Sequence, residues 1–76
     1  MGEKTIFINR KPYRTDAARL TGRQILALAG LAEDHDLFEL QGEGDRSGGR
    51  PIGIDEEVEI HEGMHFRAVP SNRNFG

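Results

Sequence analysis

The sequence predicts a small α+β domain of two layers, in which a mixed sheet packs on one short helix. A complete set of helix-capping signals occurs at residues 20–31. Short segments rich in β-branched and aromatic residues lie on both sides of this helix. The length of 76 residues is near the lower limit for a self-sufficient hydrophobic core. A chain this short has to pack its single helix on one side of its sheet.

The helix is predicted between Thr21 and Gly30. Thr21 and Gln24 have the spacing of a capping box, in which each side chain bonds a backbone N–H at the helix start. Gly30 suits the left-handed residue that closes a helix, and Leu31 can then fold back on Leu26, as in a Schellman motif. The apolar face, with Leu26 at its flank, is expected to consist of Ile25, Leu28 and Ala29.

Strands are expected before and after the helix. Residues 4–9 predict a first strand with Ile6 and Ile8 on one face and Phe7 on the other. A turn at residues 9–12 returns the chain through residues 13–15. Because a helix follows, the first strand can pair in parallel with the last one at the centre of the sheet. The later strands are expected at residues 36–40, 50–54, 57–60 and 65–69, and Pro51 confines its strand to an edge or an end.

Alternation also assigns faces to the later strands. Val58 and Ile60 face inward, and the last strand buries Phe66 and Ala68. Val69 then points outward, as Phe7 does. Phe7 and Val69 are therefore candidates for an exposed apolar patch that a partner protein recognises. The alternative is that they are isolated surface residues, because much protein surface is apolar.

Composition excludes several classes of protein. The absence of cysteine excludes a disulfide scaffold and a zinc finger. A net charge of -3 without a basic stripe is untypical of a nucleic-acid binder. Neither a membrane-spanning run nor a signal peptide is present, so we expect a cytoplasmic protein that does not bind membranes.

Charge is unevenly distributed along the chain. The basic residues Arg10, Lys11 and Arg14 lie near the first turn. An acidic run, which is either a docking surface for a basic partner or a solvated face, comprises Asp55, Glu56, Glu57, Glu59 and Glu62.

No catalytic or metal-binding residues are predicted. The histidines His35, His61 and His65 lie in no recognisable ligand motif. The glycine-rich residues 42–49 lack the Gly-Lys-Ser/Thr ending of a phosphate-binding loop and carry two carboxylates. We therefore expect neither a cofactor nor enzymatic activity.

The carboxyl terminus is the most informative feature. The last strand stops at Pro70, so residues 1–70 form the domain and residues 71–76 a loose tail that ends at Gly76. Because glycine lacks a Cβ atom, a narrow active-site channel can admit this end and reach its carboxylate. The alternative is that the tail is merely disordered and that Gly76 is an arbitrary end.

Three segments resemble the bacterial multiubiquitin family: IFINxKPY at residues 6–13, LTGRQILxLAGL at 20–31 and FRxVP at 66–70. Members of this family are ubiquitin-like domains with the β-grasp fold. The resemblance extends from Thr5 to Pro70, and its most specific part is the helix. Family members carry several such domains in tandem, so this chain is either a stand-alone modifier or one unit of a longer precursor.

The resemblance implies that this chain modifies other proteins. An activating enzyme would adenylate Gly76 with ATP, a conjugating enzyme would carry it as a thioester, and a target protein would receive it. A metalloprotease-type isopeptidase would be a further partner, and all catalysis would lie in these enzymes. The tail residues expected to be recognised by the activating enzyme are Asn72, Arg73, Asn74 and Phe75.

Two other functions fit the same fold. A sulfur carrier would hold a thiocarboxylate at its terminal glycine, although the single glycine after Phe75 differs from the glycine pair typical of such carriers. A plain interaction module would bind a partner and never react.

Overall fold

The computed structural model describes residues 2–42, 44 and 46–71. Along this part of the chain the elements are β1 (Lys4–Ile8), β2 (Lys11–Thr15), β3 (Arg19–Thr21), α1 (Gly22–Leu28), β4 (His35–Leu40), β5 (Arg50–Ile52), β6 (Glu57–Glu59) and β7 (His65–Pro70). One sheet has the strand order β2-β1-β7-β4-β5, and β3 pairs with β6. The first and last strands, β1 and β7, are parallel neighbours at the centre, as predicted. A mixed five-stranded sheet on one helix is a small α+β fold consistent with the β-grasp.

The core lies between the inner face of the five-stranded sheet and the helix. The predicted alternation is confirmed in β1, where Ile6 and Ile8 are buried, and in β7, where Phe66 and Ala68 are buried. The buried apolar residues are Ile6, Ile8, Ile25, Leu26, Leu37, Ile52, Val58, Ile60, Phe66 and Ala68. Val58 and Ile60 therefore face inward as expected.

Both ends of α1 carry the predicted caps. The Gln24 N–H donates to Thr21 Oγ1 at 3.2 Å, and the Thr21 N–H donates to Gln24 Oε1 at 2.9 Å. At the other end the Leu31 N–H reaches the Leu26 carbonyl at 2.8 Å, and Gly30 has a φ of +74°. This is a Schellman motif.

The predicted apolar face of the helix is partly wrong. Leu26 is buried beside Ile25, whereas Leu28 and Ala29 are only partly buried. The reason lies at Gly22, where a Cβ atom would overlap the carbonyl oxygen of Gly53. This close contact turns the side with Gly22, Ile25 and Leu26 toward the core, at spacings of three and four residues.

The first turn is tighter than the predicted one. It consists of Asn9 and Arg10, with φ angles of 54° and 70°, and β2 already begins at Lys11. Two residues with positive φ are typical of a type I′ hairpin turn. Pro12 lies within β2, which is tolerated because β2 is an edge strand and Pro12 needs no N–H there.

The remaining differences concern short elements. The sequence predicts no strand directly before the helix, but Arg19 begins β3, which pairs with β6 far along the chain. The strand with Pro51 lies at a sheet edge as predicted, yet it ends at Ile52 because Gly53 starts a turn closed by the Glu56 N–H. The helix in turn donates to this loop, from the Gly22 N–H to the Glu56 carbonyl at 3.1 Å and from the Arg23 N–H to the Ile54 carbonyl at 2.9 Å.

Candidate functional site

The outer face of the five-stranded sheet, away from the helix, carries the predicted patch residues. In β7 the side chains that alternate with buried Phe66 and Ala68 are those of His65, Arg67 and Val69. Phe7 of β1 pairs with His65, and Phe38 of β4 pairs with Arg67. We call Phe7, Phe38, His65, Arg67 and Val69 the outer-face cluster.

Phe7 is held flat against a histidine. Its ring stacks on the His65 imidazole with centroids 4.7 Å apart and planes inclined by 10°. Phe7 is half-buried as a result, although it lies on the solvent side of the sheet. Stacked aromatic pairs stabilise by about 0.5–1.5 kcal/mol beyond their buried area. The pair therefore presents a rigid, partly apolar surface.

Phe38 and Arg67 form the second contact of the outer-face cluster. The guanidinium carbon of Arg67 lies 5.0 Å from the centroid of the Phe38 ring, within the range of a cation–π interaction. Arg67 is exposed. Its Nη2 donates to the Gly48 carbonyl at 3.4 Å. Arginine and aromatic residues are both enriched in protein interfaces.

Phe7 and Val69 do not touch each other. Val69 lies four residues beyond His65, which is about 13 Å along the strand, and Arg67 lies between them. The two predicted residues are thus the ends of a row, and His65, Arg67 and Phe38 fill the space between and beside them. Period-two alternation from buried Leu37 would have placed Phe38 outward, but the adjacent apolar residues of this segment obscured the pattern.

The carboxyl-terminal tail begins at the rim of this face. The Ser71 N–H donates to the Asp34 carbonyl at 2.7 Å, and Ser71 Oγ hydrogen-bonds Asp36 Oδ1 at 2.9 Å. Val69 pairs with Asp36, so the anchored start of the tail adjoins the outer-face cluster. The predicted tail residues Asn72, Arg73, Asn74, Phe75 and Gly76 lie outside the described residues.

A family model described as Multiubiquitin matches residues 4–71 of the chain. The chain belongs to the multiubiquitin family. Comparisons with curated proteins and with solved structures gave no match. The matched region includes the whole outer-face cluster and Ser71, and it ends before the five tail residues of this multiubiquitin domain.

The acidic run of the multiubiquitin domain is partly used within the fold. Arg50 forms ion pairs with Glu56 at 2.8 Å and with Glu39 at 3.2 Å. Arg23 forms ion pairs with Asp55 at 2.6 Å and with Glu33 at 2.9 Å. The hydrogen bond from Arg50, together with the Gly53 N–H, lowers the pKa of Glu56 from its ordinary value. These pairs favour a solvated, structural face over a docking surface for a basic partner.

Side chains of the types that ligate metals do not cluster within the described ranges 2–42, 44 and 46–71. Within them no group of three or more His, Asp or Glu side chains could hold a metal ion. His61 Nε2 lies 3.7 Å from Glu59 Oε1, and the His65 ring stacks on Phe7. Across the same residues no helix is long and apolar enough to cross a membrane.

Proposed function

We propose that this multiubiquitin domain is a protein modifier that is joined to a target through the carboxylate of Gly76. The observation that carries the proposal is the course of β7, the central strand, which ends at Pro70. Ser71 is then tied to Asp34 and Asp36 at the rim of the outer face. The chain therefore leaves the fold at a defined point, next to a surface that an enzyme can recognise. Membership of the multiubiquitin family supports this function.

The proposed reaction activates the terminal carboxylate. An oxygen of Gly76 attacks the α-phosphorus of ATP, and pyrophosphate leaves. A thiolate of the activating enzyme then displaces AMP and forms a thioester. The acyl group passes to the thiol of a conjugating enzyme, and an amine of the target displaces that thiol and forms an amide. The domain is the substrate in each step, so catalysis resides in its partners.

In this proposal the tail and the outer-face cluster bind different parts of the partner enzymes. The tail residues 72–75 enter the channel of the activating enzyme, where terminal glycine gives the least steric hindrance. The outer-face cluster docks on the body of the activating or the conjugating enzyme. An isopeptidase of the metalloprotease type would hydrolyse the amide and restore the free carboxylate.

Intact mass after incubation with ATP, the cognate activating and conjugating enzymes and a cell lysate tests the proposal. The full chain should form covalent adducts. A chain that lacks Gly76 but keeps residues 1–75 is the matched control and should form none. Adducts on both chains would show that another group reacts, and a mass gain equal to sulfur replacing oxygen would identify a sulfur carrier.

The outer-face cluster favours a second candidate function, a non-covalent interaction module. If binding to a partner persists without residues 72–76, and no ATP-dependent adduct forms with active enzymes, this function is the correct one. Phe7→Ala should weaken binding in either case. Because Phe7 is half-buried, the substitution should lower the free energy of unfolding by only about 1 kcal/mol, mainly through the lost stacking. Urea denaturation measures this cost, and a loss of 3 kcal/mol or more, as for a buried aromatic residue, would show that Phe7 belongs to the core.

A further inference from the structure

A cavity opens at the β5 edge of the five-stranded sheet, where β5 separates from β4. Its volume is about 410 Å³. The residues that line it include the apolar Leu37, Ile52 and Ile54 and the polar His35 and Asp36. Clefts that bind ligands have volumes of about 300–1,000 Å³. This one therefore has room for more than a single side chain of a partner.

The cavity exists because β5 is shorter than β4. β5 pairs only with Leu37, Phe38 and Glu39, and it ends at Ile52. The chain then turns toward the helix, where the Ile54 carbonyl accepts the Arg23 N–H at 2.9 Å. Among the described residues, His35 therefore has β7 as a neighbour on one side and no strand on the other.

The backbone of His35 points toward this cavity. The Asn9 Nδ2 donates to the Ala68 carbonyl at 3.1 Å, and the Ala68 N–H donates to Asn9 Oδ1 at 2.9 Å. Ala68 thus directs both backbone groups away from β4. Its partner Leu37 is a non-bonded position in this pair, and its own N–H and carbonyl point toward β5. Because bonded and non-bonded positions alternate, the N–H and carbonyl of His35 point the same way, beyond the end of β5.

A strand residue placed opposite His35 would direct its side chain to the inner face of the sheet. His35 shares that face with Leu37, since the two are two residues apart and Leu37 is buried. Ile54 lines the cavity and is only partly buried. An aliphatic side chain opposite His35 would therefore cover Ile54 and remove apolar surface from water.

Two carboxylates adjoin His35 in the chain. Asp34 Oδ1 lies 3.0 Å from His35 Nδ1, and 77% of the Asp34 side chain is exposed. Asp36 is exposed beside the cavity. Two nearby cations, Arg23 and Arg50, each pair with two other carboxylates. A ligand with a cation before and after its aliphatic residue would place opposite charges across the strands, which is a stabilising arrangement.

We propose that this part of the β4 edge is a docking site for an extended segment of another protein with the pattern cation, aliphatic residue, cation. The segment runs antiparallel to β4, as β5 does, and its aliphatic residue exchanges both backbone hydrogen bonds with His35. The aliphatic side chain covers Ile54, and the flanking Arg or Lys side chains approach Asp34 and Asp36. The site does not use Gly76, so it goes beyond the proposed function.

An NMR titration of the ¹⁵N-labelled full chain tests the proposal with a defined probe, the peptide Ser-Thr-Arg-Val-Arg-Thr-Ser. We expect saturable shifts of the His35, Gly53 and Ile54 amides, with half-saturation below about 1 mM peptide. Hydrogen exchange of the His35 amide should slow at least about fivefold at saturation, because it then donates to the valine carbonyl.

The matched control peptide carries a methyl group on the valine nitrogen. It has the same charge and nearly the same apolar surface, but it cannot donate to the His35 carbonyl. It should bind at least about fivefold more weakly.

Matched charge reversals in the protein separate a defined site from general attraction. Asp34→Lys should weaken binding about fivefold or more. Asp16→Lys, the same charge change after β2 at the opposite sheet edge, should weaken it less than about twofold. Circular dichroism should show both variants folded. A chain that lacks Gly76 should bind the peptide as the full chain does, so this result is independent of conjugation.

Lack of saturable shifts would overturn the proposal, and so would equal binding of the methylated peptide or equal weakening by both charge reversals. Shifts centred on Phe7, His65 and Val69 would instead assign the peptide to the outer-face cluster. Shifts of His35 and Ile54 on removal of residues 72–76, without peptide, would identify the tail of the chain as the occupant. Concentration-dependent shifts of the same amides would identify a second copy.

Discussion

The two edges of the five-stranded sheet are built from similar residues and differ in how they use charge. Pro12 lies in edge strand β2, and Pro51 lies in edge strand β5. At the β5 edge, Arg50 bridges Glu56 and Glu39. At the β2 edge, by contrast, no carboxylate among the described residues pairs with Arg10 or Lys11. Arg50 therefore forms ion pairs at one edge, whereas Arg10 and Lys11 form none among the described residues at the other.

The loop that follows each edge strand accounts for part of the difference. After β5, Gly53 and Glu56 close a turn in which the Gly53 N–H donates to Glu56 Oε1 at 3.0 Å, and this turn holds the Glu56 carboxylate beside Arg50. After β2, the Ala17 N–H donates to Thr15 Oγ1, and the chain continues to β3. The acidic turn after β5 thus supplies one of the two carboxylates that pair with Arg50, and Glu39 of β4 supplies the other.

The largest effect is expected where β5 begins. Gly49 has a φ of +85°, and a Cβ atom there would lie 2.7 Å from the Glu39 carbonyl oxygen and 2.8 Å from a Leu40 methyl carbon. Gly49→Ala should therefore lower the free energy of unfolding by about 2 kcal/mol or more. The control is Gly30→Ala, which has a similar φ of +74° and no atom within 4 Å of the added carbon, and which should cost about 1 kcal/mol. Equal losses in urea denaturation would mean that the β5 edge is not tightly packed.

A smaller change in the free energy of unfolding, of opposite sign, is expected at the turn between β1 and β2. Arg10→Gly should raise the free energy of unfolding by about 0.5–1 kcal/mol, since glycine adopts the positive φ without strain and loses part of that gain through its greater freedom in the unfolded chain. Urea denaturation measures this gain. A variant that is no more stable than the unchanged chain would show that Arg10 is not strained in this turn.

The smallest effect is the pH dependence at the β5 edge. The pKa of Glu56 is lowered by Arg50 and by the Gly53 N–H. Its contribution to stability is therefore present above the ordinary carboxyl pKa of about 4.5, and it is lost as the pH falls through the lowered value. Arg50→Gln should reduce the difference in thermal midpoint between pH 6.5 and pH 2.5, by an amount that depends on salt. Arg10→Gln should leave that difference unchanged, and a similar reduction in both variants would indicate a general charge effect.

Local signals in the sequence were sufficient for the helix ends and for the faces of the long strands. The capping box joins residues three apart, and the Schellman bond joins Leu31 to Leu26. Such interactions need no distant partner, so they are visible in the sequence. The same holds for the alternation that places Phe7 outward in β1 and Phe66 inward in β7.

Features that depend on distant partners were missed. β3 exists because Leu20 pairs with Val58, and nothing near Leu20 indicates that partner. The burial of Leu26 in place of Leu28 follows from the contact of Gly22 with Gly53. The contact between Phe38 and Arg67 depends on the register of β4 against β7, which the sequence does not indicate.

The sequence by itself determined that this is a small α+β domain of the multiubiquitin type, with one capped helix and a central parallel pair of strands. The tertiary structure decided which side chains meet on the sheet surface, where Ser71 is anchored, and which cations at the two sheet edges pair with carboxylates. The physical reason is the distance along the chain over which each kind of interaction acts. Caps, turns and strand alternation act over two to five residues, whereas cross-strand pairing and loop contacts join residues far apart, in a register that only the packed sheet specifies.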